Sequence, residues 1–203
     1  MTPSQDTRDR LRATALALFL EQGFDETTVN QISAAAGVSH MTFFRHFPTK
    51  ESVVLDDPYD EVIAEAVRTQ DRRLPAIERV RGGIAAAWAA LPEPADTETR
   101  DRVRLIAQHP GLMARSWENN RTTGDLIADT LVSDGVDPLE ARVAASACLA
   151  ALMEALLLWG VSPSGPELGA LVAAALDHLA GCPVTAPLAP TSEGTHDHAI
   201  RPS

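Results

Sequence analysis

Three features of the sequence predict an all-helical fold. The 203 residues are rich in Ala and Leu but only 4% aromatic, apolar residues recur at spacings of three and four, and no stretch shows the period-two alternation of Val, Ile or Thr that marks a strand. The length allows one or two domains with a sizeable core. Two cysteines, Cys148 and Cys182, the first inside an apolar run, argue against a disulfide framework and fit a reducing compartment. No charged-then-apolar leader precedes the first helical pattern. The run from Ala144 to Val161 approaches membrane-spanning length but is interrupted by Ser146 and Glu154, so it reads as a buried helix. A cytoplasmic protein with no membrane partner is the expectation.

The elements follow in order. Leu11, Ala15, Leu18 and Phe19 set a helix over about 7–22, and Gly23 stands where a left-handed cap would stop it. Thr27 or Thr28 can cap a second helix that buries Val29, Ile32 and Ala36; Gly37 permits a sharp turn, and Ser39 can cap a third helix. Phe43 and Phe47, four apart, anchor that third helix inward and leave His40, Met41, Thr42 and Arg45 facing out. Thr49 can cap a fourth helix ending at Leu55. Asp56-Asp57-Pro58 then interrupts the chain, with Asp57 a cap and Pro58 at the first position of the next helix. Tyr59, Val62, Ile63, Ala66 and Val67 form one stripe; Ile77, Val80, Ile84, Trp88 and Leu91 form another, followed by the turn PEPADTET. A helix over 97–108 leads to a long one from Pro110, whose face carries Met113, Trp117, Asn120, Gly124, Ile127 and Leu131 and which stops at Asp134-Gly135. Two more span about 138–160 and 166–180. The Pro-rich remainder lacks periodicity and reads as a disordered tail. This divides the chain into a helix-turn-helix domain at 1–55, a larger helical domain at 56–182 and a tail at 183–203.

Charge is distributed unevenly. Between Thr27 and Lys50 there is no Asp or Glu, although the chain carries a net charge of −11. Residues 1–50 hold five basic and five acidic side chains, so the remainder carries the whole excess of negative charge. A window free of carboxylates in an acidic chain is compatible with a polyanion, and the outward face of the third helix is short enough to enter a major groove. A neutral module binds DNA weakly as one copy, so dimerisation supplies what it lacks.

The run Leu11, Ala15, Leu18-Phe19, Gly23, Thr27-Thr28-Val29, Ile32-Ser33, Ala36-Gly37-Val38-Ser39, Thr42-Phe43-Phe44, His46-Phe47 and Lys50-Glu51 resembles the DNA-binding domain of the TetR family of bacterial transcriptional regulators. The resemblance covers roughly the first quarter of the chain. It implies that Thr28 meets a phosphate at the start of the second helix, that Ser39, His40, Met41 and Thr42 face bases, and that His46 and Lys50 contact phosphate. Two positions depart from the family. Phe44 stands where tyrosine is usual and lacks its hydroxyl, leaving an apolar contact with sugar or a thymine methyl. Met41 stands where glycine is frequent and can press on a base edge. Arg45 is a solvated or phosphate-facing charge in preference to a base reader. Arg8, Arg10 and Arg12 read as a solvated face of the first helix. The pattern Thr42-Phe43-Phe44-Arg45, Phe47-Pro48 and Val53-Val54 looks like a subgroup that includes regulators of the mycofactocin system, which sense acyl-CoA, although no basic cluster here matches a CoA phosphate.

The C-terminal region raises the question of a ligand. Asn120 and Gly124 interrupt the apolar face of the 110–133 helix, leaving either a cavity for a small molecule or a site of close helix packing. Trp88, Met113 and Trp117 would wall such a pocket. Glu154 has only apolar helical neighbours, so it either pairs across an interface or faces a polar pocket. Val143, Ala147, Ala151 and Leu158 on one helix, with Leu168, Val172, Ala175 and Leu179 on the next, are more apolar surface than one chain can cover. They suggest a twofold four-helix dimer interface. No Ser/His/Asp set, metal-spaced cluster or phosphate loop supports catalysis, no cofactor is implied, and His196-Asp197-His198 lacks a further ligand. The sequence therefore predicts a dimeric repressor released from a palindromic operator DNA by a small apolar molecule, with a hinge at Asp56-Asp57-Pro58. The alternative is a helical small-molecule or acyl-chain carrier, or a partner-binding protein, whose DNA-binding module is secondary.

Overall fold

The computed structural model describes residues 3–56, 59–90, 97–162 and 164–180, and among these it is helical with no strand. The described residues form ten helices: α1 (Pro3–Gln22), α2 (Val29–Ala35), α3 (His40–His46), α4 (Ser52–Leu55), α5 (Tyr59–Arg68), α6 (Ala76–Ala89), α7 (Thr97–Gln108), α8 (Pro110–Ser133), α9 (Pro138–Val161) and α10 (Leu168–Asp177). Asp57, Pro58, Leu91, the first five residues of the expected turn PEPADTET, Cys182, the expected tail and His196-Asp197-His198 lie outside the described residues.

Local chemistry sets the ends. Thr28 caps α2 in a reciprocal box: Gln31 N–H donates to its Oγ1 (3.2 Å), and Gln31 Oε1 accepts from the Thr28 N–H (2.8 Å). Gly37, at φ +66°, makes the turn into α3, a conformation costly for any residue with a Cβ. Thr49 does not cap α4, whose N-cap is Glu51 without a side-chain bond; in the turn ahead of it Ser52 N–H donates to Thr49 Oγ1 (3.1 Å) and Thr49 N–H to Ser52 Oγ (3.2 Å). Asp137 caps α9, with Pro138 in its first turn.

Two apolar cores result. The larger one is centred on α9, which packs against α6, α7, α8 and α10. By length and composition α9 could cross a membrane. Ala141, Ala144, Ala145, Cys148, Leu149, Leu152, Ala155 and Trp159 are nevertheless buried in this core. Burial pushes the Cys148 thiol up to about 12, so it behaves as a small apolar residue. α5 lies close on α6 because Gly83 has no Cβ; one would stand 2.4 Å from Val67 Cγ2 and 2.7 Å from its backbone.

The smaller core holds Leu11, Phe19, Phe24, Ile32, Phe43, Phe47, Val53 and Val54. It also takes in Leu105 of α7 and Leu112 of α8. The division at residue 55 is therefore crossed by packing.

Two further expectations are corrected. Leu168 and Val172 are 1% and 2% exposed in the larger core, so they cannot present surface to a partner; α10 turns them inward and leaves Ala170, Ala173 and Ala174 outside. On α8 the inward stripe is Leu112, Ser116, Thr123, Gly124, Ile127 and Leu131. Trp117 thus falls to the flank, 39% exposed, and Met113 is only half-buried. The polar groups inside are Ser116 and Thr123, whose hydroxyls donate to Met113 O (2.8 Å) and Asn119 O (3.2 Å) of their own helix.

Among the described residues one ion pair is buried. Arg79 is fully enclosed, with Nη2 donating to Asp134 Oδ2 at 2.6 Å, while its Nε and Nη1 find no partner among the described groups. Arg72 reaches the other oxygen of Asp134 from solvent at 3.0 Å. Removing Asp134 would strand a buried cation, so Asp134→Ala is expected to lower unfolding free energy by about 3–5 kcal/mol, and Arg72→Ala by less than about 1 kcal/mol. Urea denaturation at fixed protein concentration reads both.

Candidate nucleic-acid interface

The capped starts of α2 and α3 and the outward side of α3 fall within a segment, Thr27 to Lys50, that has no Asp or Glu. On α3, Ser39 Oγ accepts from the Thr42 N–H (3.1 Å) and shares a hydrogen bond with Thr42 Oγ1 (2.9 Å). His40, Met41, Phe44 and Arg45 are exposed, Met41 to 77%. The His40 ring stands edge-on to Phe44 at 4.7 Å, and Phe43, fully buried, backs Phe44 at 5.3 Å. Thr28 is exposed at the start of α2, its hydroxyl donating to Gln31 Oε1 (2.8 Å).

Behind this surface, cations act as clamps. Arg8 Nη1 donates to His46 O at 3.1 Å, Arg8 Nη2 pairs with Asp56, and its guanidinium lies 4.8 Å from the Phe47 ring centre. Arg12 lies over the same ring at 5.7 Å. These two are half-buried, unlike Arg10, so the expected solvated face holds only in part. Burial, then the nearby Arg102 and Arg8, hold the Arg12 pKa below its usual value.

Lys50 is placed differently from a free phosphate ligand. Its Nζ donates to Phe24 O (2.7 Å) and Thr27 O (3.0 Å) and sits 4.2 Å above the Phe24 ring. It ties the α1–α2 loop to the start of α4, with one N–H left over.

His109 had no assigned role in the sequence. Its Nδ1 accepts the Leu112 N–H (3.1 Å) and so caps α8; its Nε2 then carries the hydrogen and faces Asp25 at 3.1 Å. The ring also packs edge-on to Phe24 at 4.9 Å. The loop that leads into α2 is thus held by Lys50 on one side and by the α8 corner on the other. A histidine directly before a proline that opens a helix was the available signal.

The residues expected around a ligand do not converge. Trp88 packs half-buried on the larger core, Asn120 is half-buried, and Glu154 is exposed. Gly124 is buried opposite Leu149, whose Cδ1 lies 3.5 Å from a Cβ built at the glycine, which is ordinary packing. A separate groove of about 210 Å³ lies between α4 and α8, lined by Thr49, Ser52, Leu55, Arg115, Glu118 and Asn119 among others.

The outer face of α9 is apolar. Leu139, Val143, Leu158 and Val161 are 71%, 57%, 54% and 51% exposed, with Ala147 and Ala151 half-buried between them and Glu154 on the same side. Ala175 of α10 and Leu179, just past its end, are half-buried.

Residues 11–56 match the family of bacterial regulatory proteins, tetR family, and residues 74–182 match the MftR C-terminal domain. The chain is similar to the HTH-type transcriptional regulator TcmR of Streptomyces glaucescens, with 32% identity over 64% of this chain and 62% of the relative. It is also similar to the putative mycofactocin biosynthesis transcriptional regulator MftR of Mycobacterium tuberculosis, with 31% identity over 50% of this chain and 52% of the relative. It therefore spans less than two thirds of the length of these curated relatives. Among solved structures, the repressor SmeT of Stenotrophomonas maltophilia superposes with a TM-score of 0.55 at 20% identity, covering 87% of this chain and 90% of that one. The regulator FadR of Bacillus halodurans gives 0.55 at 20% identity, covering 91% and 98%. At this identity the likeness is one of fold.

His46 supplies a pH test. Desolvation first, then Arg45 and Arg8, lower its pKa from the ordinary 6.5, so the folded state resists its protonation. The unfolded chain then binds the extra proton. The contribution of His46 to stability is complete above about pH 6.5 and falls as pH drops through its lowered folded value. Thermal melts from pH 7.5 to 5 should show His46→Gln losing less stability on acidification than the wild type.

Proposed function

The chain belongs to the TetR family of bacterial regulatory proteins, with a C-terminal domain of MftR type, and on that premise we propose that it is a dimeric, ligand-responsive regulator that binds a palindromic operator. The observation that carries this reading is the carboxylate-free surface of α2 and α3 held on a rigid aromatic core. α3 enters the major groove with His40, Met41 and Phe44 toward base edges, flanked by Ser39 and Thr42. Thr28, Arg45 and His46 meet phosphate, and Lys50 adds its remaining N–H. The reading is of a regulator and not a catalyst, acting in the cytoplasm.

Dimerisation uses the exposed α9 stripe and the alanine face of α10. Val143, Ala147, Ala151 and Leu158 meet their equivalents about a twofold axis, with Ala175 and Leu179 at the margin. A contiguous apolar face of this kind is unusual on a monomer. Glu154 lies within it and pairs across the interface. Two copies of α3 then sit about one DNA turn apart.

The effector is a small apolar molecule taken up by the larger helical domain, at a site that Trp88, Met113, Trp117, Asn120 and Gly124 do not form together. The SmeT structure in complex with triclosan, at a TM-score of 0.58 and 20% identity, is a neighbour of the same fold. Effector binding moves the α7–α8 corner, and with it Leu105, His109 and Leu112, against the N-terminal module. The Arg8–Asp56 pair, next to Asp57 and Pro58, takes up the change, so a Pro58 substitution would alter induction more than operator affinity.

Footprinting on the DNA upstream of its own gene tests the reading. A protected palindrome whose affinity falls steeply with salt is expected, whereas a small-molecule complex without any footprint would favour a carrier. Placing a charge on the proposed seam with Leu158→Glu should give monomers in sedimentation at micromolar concentration. The same variant should keep its helical circular dichroism and lose operator affinity by at least about tenfold.

A further inference from the structure

At the start of α3 the Ser39 Oγ takes the Thr42 N–H and the two hydroxyls bond to each other, so both are held in the helix cap and a single hydroxyl hydrogen of the pair is left to donate. The most exposed large apolar side chain of the described residues is on this face: Met41 is 77% exposed, beside Phe44 one turn on. Phe44 does not wave freely, because His40 stands against it at 4.7 Å and the buried Phe43 backs it at 5.3 Å. An apolar pair held in this way gains nothing from amide, amino or carbonyl edges. The apolar group that a base pair presents in the major groove is the C5-methyl of thymine.

We propose that α3 selects its operator chiefly through thymine C5-methyl groups, with Met41 and Phe44 as the contacting residues. This rests on the operator-binding reading above. It makes Met41 and Phe44 the specificity-determining residues, and it assigns Ser39 and Thr42 to building the helix start and Arg45 to positioning on phosphate.

The test uses the full-length protein and the duplex it enriches from a random-sequence library. Each half-site thymine is replaced in turn by deoxyuridine, which removes only the methyl. Wild-type affinity is expected to fall about fourfold at each contacted position, the effect of exposing one methyl-sized apolar group. In Met41→Ala the thymine and uracil duplexes should bind equally at the Met41 position, while affinity for an unselected duplex stays unchanged; Phe44→Leu should shrink the ratio at its own position. Because Met41 is exposed, its variant folds as the parent does. Equal binding of thymine and uracil duplexes by the wild type would overturn the proposal, as would an enriched sequence without thymine. Loss of selectivity with 7-deazaguanine but not with uracil would likewise overturn it, in favour of guanine reading by Arg45. A library in which no sequence is enriched would instead defeat the operator-binding reading itself.

Discussion

The insertion of Leu105 and Leu112 into the core of the N-terminal module is the contact on which the arrangement of the protein depends. Both are buried in the same cluster as Phe19, Phe24, Phe43 and Phe47, yet they come from α7 and α8 of the larger domain. Burying a leucine stabilises by about 1.5–3 kcal/mol, so two of them fix one domain on the other more firmly than exposed ion pairs could. His109 sits between them in sequence and adds direction, because it caps α8 and faces Asp25 at once. A shift of the α8 corner cannot leave the α1–α2 loop where it is.

The module itself is built by making short helices rigid. α2 and α3 have seven residues each, too short to persist alone, and each is closed by a side-chain cap and pinned by buried aromatic or aliphatic groups. Arg8, Arg12 and Lys50 add to this: all three lie over Phe47 or Phe24, and Arg8 and Lys50 also hold backbone carbonyls. Capping takes up hydroxyls that would otherwise be free to read bases. Rigidity and polar readout compete for the same groups.

Much of this was legible in the sequence. The i, i+4 pair Phe43/Phe47, the caps Thr28 and Ser39 and the turn at Gly37 follow from local rules, and the chain folds there as those rules require. What could not be read depends on packing between distant segments. Nothing local distinguishes Leu168 and Val172, which turn inward, from Leu158, which does not. On α8 the stripe drawn through Met113 and Trp117 missed the true inward line by one residue, because Ser116 and Thr123 satisfy their hydroxyls on their own helix and can be buried. His109 and Lys50 act on a loop far away in sequence, so their roles emerge only when the helices are assembled.

The link through the α7–α8 corner is tested most directly by hydrogen exchange in the free protein, comparing wild type with His109→Ala. If the corner clamps the loop, amides over 24–31 exchange faster in the variant while those over 144–155, deep in the larger core, do not change. Unchanged exchange over 24–31, or an equal increase in both segments, would contradict it.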